Sequence, residues 1–299
     1  MLHIVLGHTT RIFITILFIL GNTGVHPVFS QDIKTNKIAD LPDRLDEASG
    51  LIHTPKGLFS LGDEDDPEIY QVDTATGEIT KTIIIKNASF KDKESLTADD
   101  EYLFISDFGN NKGHRRDLKI VRIELSAINN ADIQEIEGEI ISFHYPEQKR
   151  FDKKKKHNAF DCEAMIPIGD SLYLFTKQRS DRKTTMYGLP KEPGQYAAQK
   201  IDDFDVKGRV TGADLSPDDS TLLLLGYQKK HWYPFIWIMK DTGNGFFNGD
   251  INYYLLAKHP EDWQTEGITF VDDDKIILCN EESDDRNQAL YYFYLSKIK

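Results

Sequence analysis

Apolar positions along the chain fall into short runs of about five to eight residues, separated by polar turns. Ile, Leu, Val, Tyr and Phe dominate the runs, as in β-strands. A helical 3.6-residue rhythm is weak throughout, and Leu125 to Ile136 is the one modest helix candidate.

The runs repeat. Five segments share one plan: an acidic residue, a short apolar strand, a tight turn, a second apolar strand, a long polar loop and a third strand. They open at Glu47, Glu94, Glu163, Asp214 and Glu266. Their spacing is near the roughly 40–50 residues that a four-stranded propeller blade occupies. The second interval is longer, and Asn129 to Asn158 is its insertion. Turn formers stand between the first two strands of each repeat: Pro55-Lys56-Gly57, Asp99-Asp100, Gly169-Asp170, Pro217-Asp218-Asp219 and Asp272 to Asp274. Fourth strands follow at Ile79 to Ile85 and Ile251 to Leu256. The last repeat has none, whereas Ile33 to Leu41 has no partner of its own. That segment is expected to close the ring as the outer strand of the last blade, leaving no long open sheet edge. The pattern therefore predicts an all-β, five-bladed β-propeller closed by an N-terminal strand over residues 31–299. The insertion leaves a sixth blade open, and a β-sandwich with hairpins is the alternative architecture.

The N-terminus reads differently. Arg11 precedes the apolar run Ile12 to Leu20, and Val28-Phe29-Ser30 resembles a cleavage site before Gln31. The run is too short for a membrane span, which needs about 20 residues, but suits a signal peptide over residues 1–30. The expectation is export to the periplasm or the extracellular space, with a short N-terminal anchor as the alternative. No later stretch is apolar enough to span a bilayer. Export would permit a Cys162–Cys279 disulfide, but both cysteines sit beside apolar runs, which favours buried free thiols.

The net charge of −13 argues against non-specific nucleic-acid binding and fits either plain solubility or divalent-cation binding. In a propeller, the first strand of each blade lines the central channel, so the acids opening the repeats should gather at one mouth. Glu94, Glu163 and Glu266 share a Glu-small-apolar pattern, while Glu47 and Asp214 are offset from it. Asp92 and Asp161 each stand two residues before their Glu, on the same side of a strand. Converging carboxylates repel unless protons or a cation neutralise them. Ca²⁺, with six to eight oxygen ligands, is one answer; hydrogen bonds from backbone N–H groups are the other.

The polar loops on that face add Arg115, Arg116, Lys177, Arg179, Lys229 and Lys230. His114, His157 and His231 lie near it and are the candidates for a general base. The basic run Lys149 to Lys156 reads as a solvated loop, with an anion-binding arm as the alternative. Nucleophile-elbow, zinc-helix, P-loop and dinucleotide fingerprints are absent.

Four segments carry a resemblance: Ser106-Asp107-Phe108-Gly109-Asn110-Asn111, Asp161-Cys162-Glu163-Ala164, Thr211 to Pro217, and Thr265-Glu266-Gly267-Ile268. They resemble secreted bacterial propellers described as NHL-like or as having the esterase-like activity of phytase. The resemblance implies axial Ca²⁺ held among Glu47, Glu94, Asp107, Asn110, Glu163, Asp214 and Glu266. Three functions follow as expectations. One is an exported propeller binding a small molecule, glycan or protein at its acidic channel mouth. The second is a Ca²⁺-dependent hydrolase of an ester, lactone or phosphoester, and the third is a structural role in the cell envelope.

Overall fold

A computed structural model describes residues 32–152, 158–179, 181–228, 233–256 and 263–298. The expected signal segment, His157, His231, Lys229, Lys230 and the run Lys153 to Lys156 lie outside the described residues.

The first strand, β1 (Asn36–Asp40), precedes all the repeats. Blade 1 is β2 (Ala48–Thr54), β3 (Gly57–Gly62), β4 (Glu68–Val72) and β5 (Ile79–Ile85). Blade 2 begins with β6 (Leu96–Ala98), β7 (Tyr102–Asp107) and β8 (Lys119–Glu124). The chain then returns through β9 (Ile133–Ile136), which lies parallel to β5 at the outside of blade 1. From there β10 (Glu139–His144) completes blade 2. Blade 3 is β11 (Cys162–Ile168), β12 (Ser171–Thr176), β13 (Thr184–Pro190) and β15 (Gln199–Phe204). Between its last two strands, β14 (Gly194–Ala197) crosses to lie parallel to β10 of blade 2. Blade 4 is β16 (Arg209–Leu215), β17 (Thr221–Gln228), β18 (Tyr233–Lys240) and β19 (Asp250–Leu255). Blade 5 is β20 (Thr265–Phe270), β21 (Lys275–Asn280) and β22 (Ala289–Tyr294), and its outer strand is β1.

The fold is a five-bladed β-propeller, closed as expected by the N-terminal strand, which pairs antiparallel with β22 from Asn36–Tyr292 to Asp40–Ala289. Ile33 N–H also donates to Leu255 O of blade 4 at 2.8 Å, tying the start of the chain across the seam. The insertion builds no sixth blade; its strands extend blade 1 and finish blade 2. The helix candidate is also corrected. Leu125–Ala127 is a 3-10 turn and Ile133–Ile136 is a strand. Leu125, Ile128 and Ile136 instead cover the seam between blades 1 and 2. The free edge of β5 supplies ladder bonds that outweigh a weak local helical preference.

The core consists of five seams, each an apolar cluster between neighbouring blades. Each blade is therefore buried on both faces, which is why its strands read as continuous apolar runs. In β17, Leu222 and Leu224 enter the seam with blade 3, while Leu223 and Leu225 enter the seam with blade 5. In β21, Ile276 and Leu278 face blade 4, and Ile277 and Cys279 face blade 1. Cys162 and Cys279 are free, buried thiols. Burial pushes the Cys279 thiol up to about 12, so it stays protonated. Among the described residues, no helix is long and apolar enough to cross a membrane.

Candidate functional site

The inner strands carry the same irregularity in four blades. The ladder skips one residue between Ala48 and Gly50, Cys162 and Ala164, Val210 and Gly212, and Thr265 and Gly267. The bulged residues are Ser49, Glu163, Thr211 and Glu266. In blade 2, Glu94 takes this place: its N–H and that of Ser95 both donate to Ser106 Oγ, at 2.9 and 2.8 Å. A bulge re-aims one side chain out of the sheet alternation. The small residue that follows is needed because neighbouring inner strands nearly touch. A Cβ on Gly50 would lie 2.8 Å from Leu96 N, and one on Gly212 would lie 2.7 Å from Glu266 O.

Two further layers keep this register. Two residues before the bulge stand Glu47, Asp92, Asp161, Arg209 and Gln264. Opposite them, just past the second strand in four of the blades, stand Asp63, Gly109, Lys177, Tyr227 and Glu281. Asp63 N–H donates to Glu47 O, Gly109 N–H to Asp92 O, Lys177 N–H to Asp161 O and Glu281 N–H to Gln264 O. Tyr227 pairs with Arg209 in the ladder of blade 4. Five repeats thus place three layers of side chains at one mouth of the channel.

The structure brings Glu94, Glu163 and Glu266 together around Lys177, whose Nζ stands 2.6 Å from Glu163 Oε2. All four are buried. Burial opposes charge on Lys177, but Glu163, Tyr227, Glu266 and Glu94 outweigh it and hold the ammonium protonated well above its usual range. Arg179 pairs with Asp161 Oδ2 at 2.9 Å and also lowers Glu163, but Lys177 and Arg179 are still outnumbered by acids, so the carboxylates remain under strain. Burial, then repulsion from Glu163 and Asp92, raises Glu94 well above the carboxylate range. Burial and Glu281 do the same to Glu266. Glu163 is pushed to about 7 by burial, against the pull of Lys177. Burial also brings Glu281 to about 7. Asp63 reaches about 8 through burial and a hydrogen bond to Glu47, which needs a shared proton. Asp92 and Glu94 crowd each other where blade 2 has Gly109. A Cβ there would lie 2.6 Å from both Asp92 Oδ2 and Glu94 Oε1.

The other candidates stand elsewhere. Glu47 belongs to the layer of Asp92 and Asp161. Asp107 is fully buried behind the mouth, paired with Arg115 at 2.8 Å and Lys119 at 2.5 Å, and it accepts from Lys91 N and Asp92 N. Asn110 is a loop corner: it accepts from Arg115 N and donates from Nδ2 to Phe160 O, and its backbone N–H donates to Asp161 Oδ1. Asp214 lies three residues beyond the bulge of blade 4 and turns into the seam with blade 5. There its Oδ2 accepts from Phe270 N at 2.8 Å and Thr269 Oγ1 at 3.0 Å. His114 sits on the blade 2 loop that also holds Asn110. Among the described residues, no group of three or more His, Cys, Asp or Glu side chains stands in metal-ligand geometry.

The sequence placed Lys177 on this face among the basic loop residues, but it did not single out Asp63 or Glu281 or set Lys177 among the glutamates. The signal was available: each directly follows, or nearly follows, the second strand of its repeat.

No family model and no curated protein sequence matches the chain. Solved structures do. Glutaminyl cyclase of Myxococcus xanthus is similar at a TM-score of 0.51 and 8% identity, over 88% of this chain and 98% of its own. A putative TolB of Agrobacterium tumefaciens gives a TM-score of 0.44 and 12% identity, over 91% and 87%. Hydrazine synthase of Kuenenia stuttgartiensis gives 0.41 and 12%, over 80% of this chain and 57% of that one. At these identities the likeness concerns the fold alone.

Proposed function

We propose that this is an exported propeller that binds the positively charged part of a ligand at its channel mouth. The observation that carries the reading is the excess of carboxylates over cations there. Glu94, Glu163, Glu266, Asp63 and Glu281 are all held above their ordinary range, with Lys177 as the central counter-charge. A group that replaces the retained protons relieves this strain, so cation binding is coupled to proton release. Ca²⁺ is one such cation, held by Glu94, Glu266 and their carboxylate neighbours; an organic ammonium is the other. Export rests on the N-terminal segment of the sequence.

The test is a thermal shift at pH 8 with Ca²⁺ and, separately, with putrescine. The expected result is a rise in Tm with at least one of them, reduced in Glu94→Gln. A flat response to both cations up to millimolar concentration overturns the proposal.

One observation favours a second reading, a Ca²⁺-dependent hydrolase of an ester, lactone or phosphoester. Glu163 and Glu281 titrate at about 7, where a carboxyl can both take and give a proton. The resemblance to esterase-like phytase propellers points the same way. Turnover of p-nitrophenyl acetate or p-nitrophenyl phosphate that needs Ca²⁺ and is lost in Glu163→Gln would decide for it.

A further inference from the structure

The loop between β7 and β8 is built more firmly than a solvated connection needs to be. Asn110 O accepts from Gly113 N at 2.7 Å and from Asn158 Nδ2 at 2.5 Å. Gly113 O accepts from Gln148 Nε2 at 3.1 Å, and Gly113 itself holds φ at +70°. A side chain there would meet Asn158 at 3.1 Å, so the turn is closed against the insertion. Buried Arg115 locks the base through Gly109 O, Asp107 and Asp117. Loops held this rigidly on a propeller face present whatever stands on them in a fixed geometry.

What stands on this one is positive. The chain carries a net charge of −13. Yet Lys112, Arg116, Lys149 and Arg150 make no salt bridge among the described residues, while Lys91 and Arg115 are spent on Asp117. The Arg116 guanidinium lies 3.5 Å from the centre of the Phe151 ring. Stacking fixes the plane of its donor fork and leaves its N–H groups free to turn outward. A hollow of about 510 Å³ opens beside it, lined by Lys112, His114, Arg115 and Arg116, with Asp92 and Asp117 as its acids. Asp117 is already neutralised by Lys91 and Arg115. His114, in the same wall, is half-buried. An adjoining hollow of about 530 Å³ shares Arg115 and Arg116 with the first, and a third of about 580 Å³, which also holds Glu147 and Asp152, meets that one at Lys149.

We propose that the hollow over the β7–β8 loop is an anion site that takes a phosphate-bearing small molecule. Arg116 offers a planar pair of donors and Lys112 a mobile ammonium. Together they match the several acceptor oxygens of a phosphate better than the two of a carboxylate. The volume suits a small ligand. The surrounding negative charge disfavours an extended polyanion such as nucleic acid. The site shares Asp92 with the wall of the acidic mouth but needs no cation there, so it stands or falls separately from the function proposed above.

The probe is inorganic pyrophosphate without added metal, titrated calorimetrically into the full chain at low ionic strength. One saturable site is expected. Arg116→Gln and Lys112→Gln should each weaken it about tenfold, near 1.4 kcal/mol, and Lys240→Gln on the exposed end of β18 should not. Arg116 and Lys112 are both exposed, so each variant serves as the second reading if the other folds poorly. Absence of saturable binding in the millimolar range overturns the proposal. So does unchanged affinity in the Arg116 and Lys112 variants, or binding to anionic lipid vesicles without binding to pyrophosphate.

Discussion

Asp214 gives the sharpest test of the electrostatic reasoning, because no other charge figures among the causes of its shift. Burial drives its carboxyl from 3.8 to about 7, against hydrogen bonds from Phe270 N–H, Thr269 Oγ1 and Leu215 N–H. Thr269 Oγ1 in turn accepts from His53 N at 2.9 Å, so one chain of bonds joins blades 4, 5 and 1. The folded pKa lies above the unfolded one. The contribution to stability is therefore complete below about pH 3.8 and is lost as pH rises through about 7. A shift of about three units corresponds to about 4 kcal/mol in total, of which roughly 3 is lost between pH 5 and pH 8.5. In Asp214→Asn the amide oxygen still accepts from Phe270 and Thr269, but nothing titrates. The variant should match wild type within about 1 kcal/mol at pH 5. At pH 8.5 it should be the more stable protein, by about 2–3 kcal/mol. Asp214→Ala strands two buried donors and should cost about 2–4 kcal/mol at pH 5. The assay is urea unfolding followed by tryptophan fluorescence at the two pH values. A difference between wild type and Asp214→Asn that does not change with pH would refute the reasoning.

Lys177→Met removes the central cation from buried acids and should cost about 3–5 kcal/mol at pH 8. At pH 5 the loss should shrink, because carboxylates held above their usual range then carry protons; urea unfolding at both pH values reads the difference. Gly109→Ala drives a Cβ against Asp92 and Glu94 and should cost about 1–3 kcal/mol, measured as a fall in Tm, with weaker binding of whichever cation stabilises the wild type. Deleting residues 32–40 removes β1, opens the ring at β22 and exposes its edge. Calorimetry should show a lower, broader transition, and sedimentation should show self-association. A sharp wild-type transition would mean that the closing strand contributes little.

Much of the fold was legible because hairpins are local. Pro55-Lys56 and Gly169-Asp170 sit in two-residue turns between paired strands, where their backbone preferences act within a few residues. The long apolar run of β17 marks a strand buried on both faces, although the run alone cannot say which leucine enters which seam. The closing strand was legible by elimination, since one blade lacked a fourth strand and one segment lacked a sheet.

Site chemistry was legible only in part. Glu94, Glu163 and Glu266 share a local pattern because each precedes a small residue where neighbouring inner strands nearly touch. The corresponding places in blades 1 and 4 belong to Ser49 and Thr211, not to Glu47 and Asp214. Bulges shift the register by one residue, and the repeat alone could not reveal them. The sequence by itself determined five hairpin repeats, a closing strand and a set of acids near strand starts. Only the tertiary structure decided which acids meet. It turned Asp107 and Asp214 into buried structural anchors and set Lys177 among three glutamates. It also carried β9 and β14 across to neighbouring blades. The reason is that the charge state of a carboxylate depends on partners brought from other blades, and no local pattern carries that information.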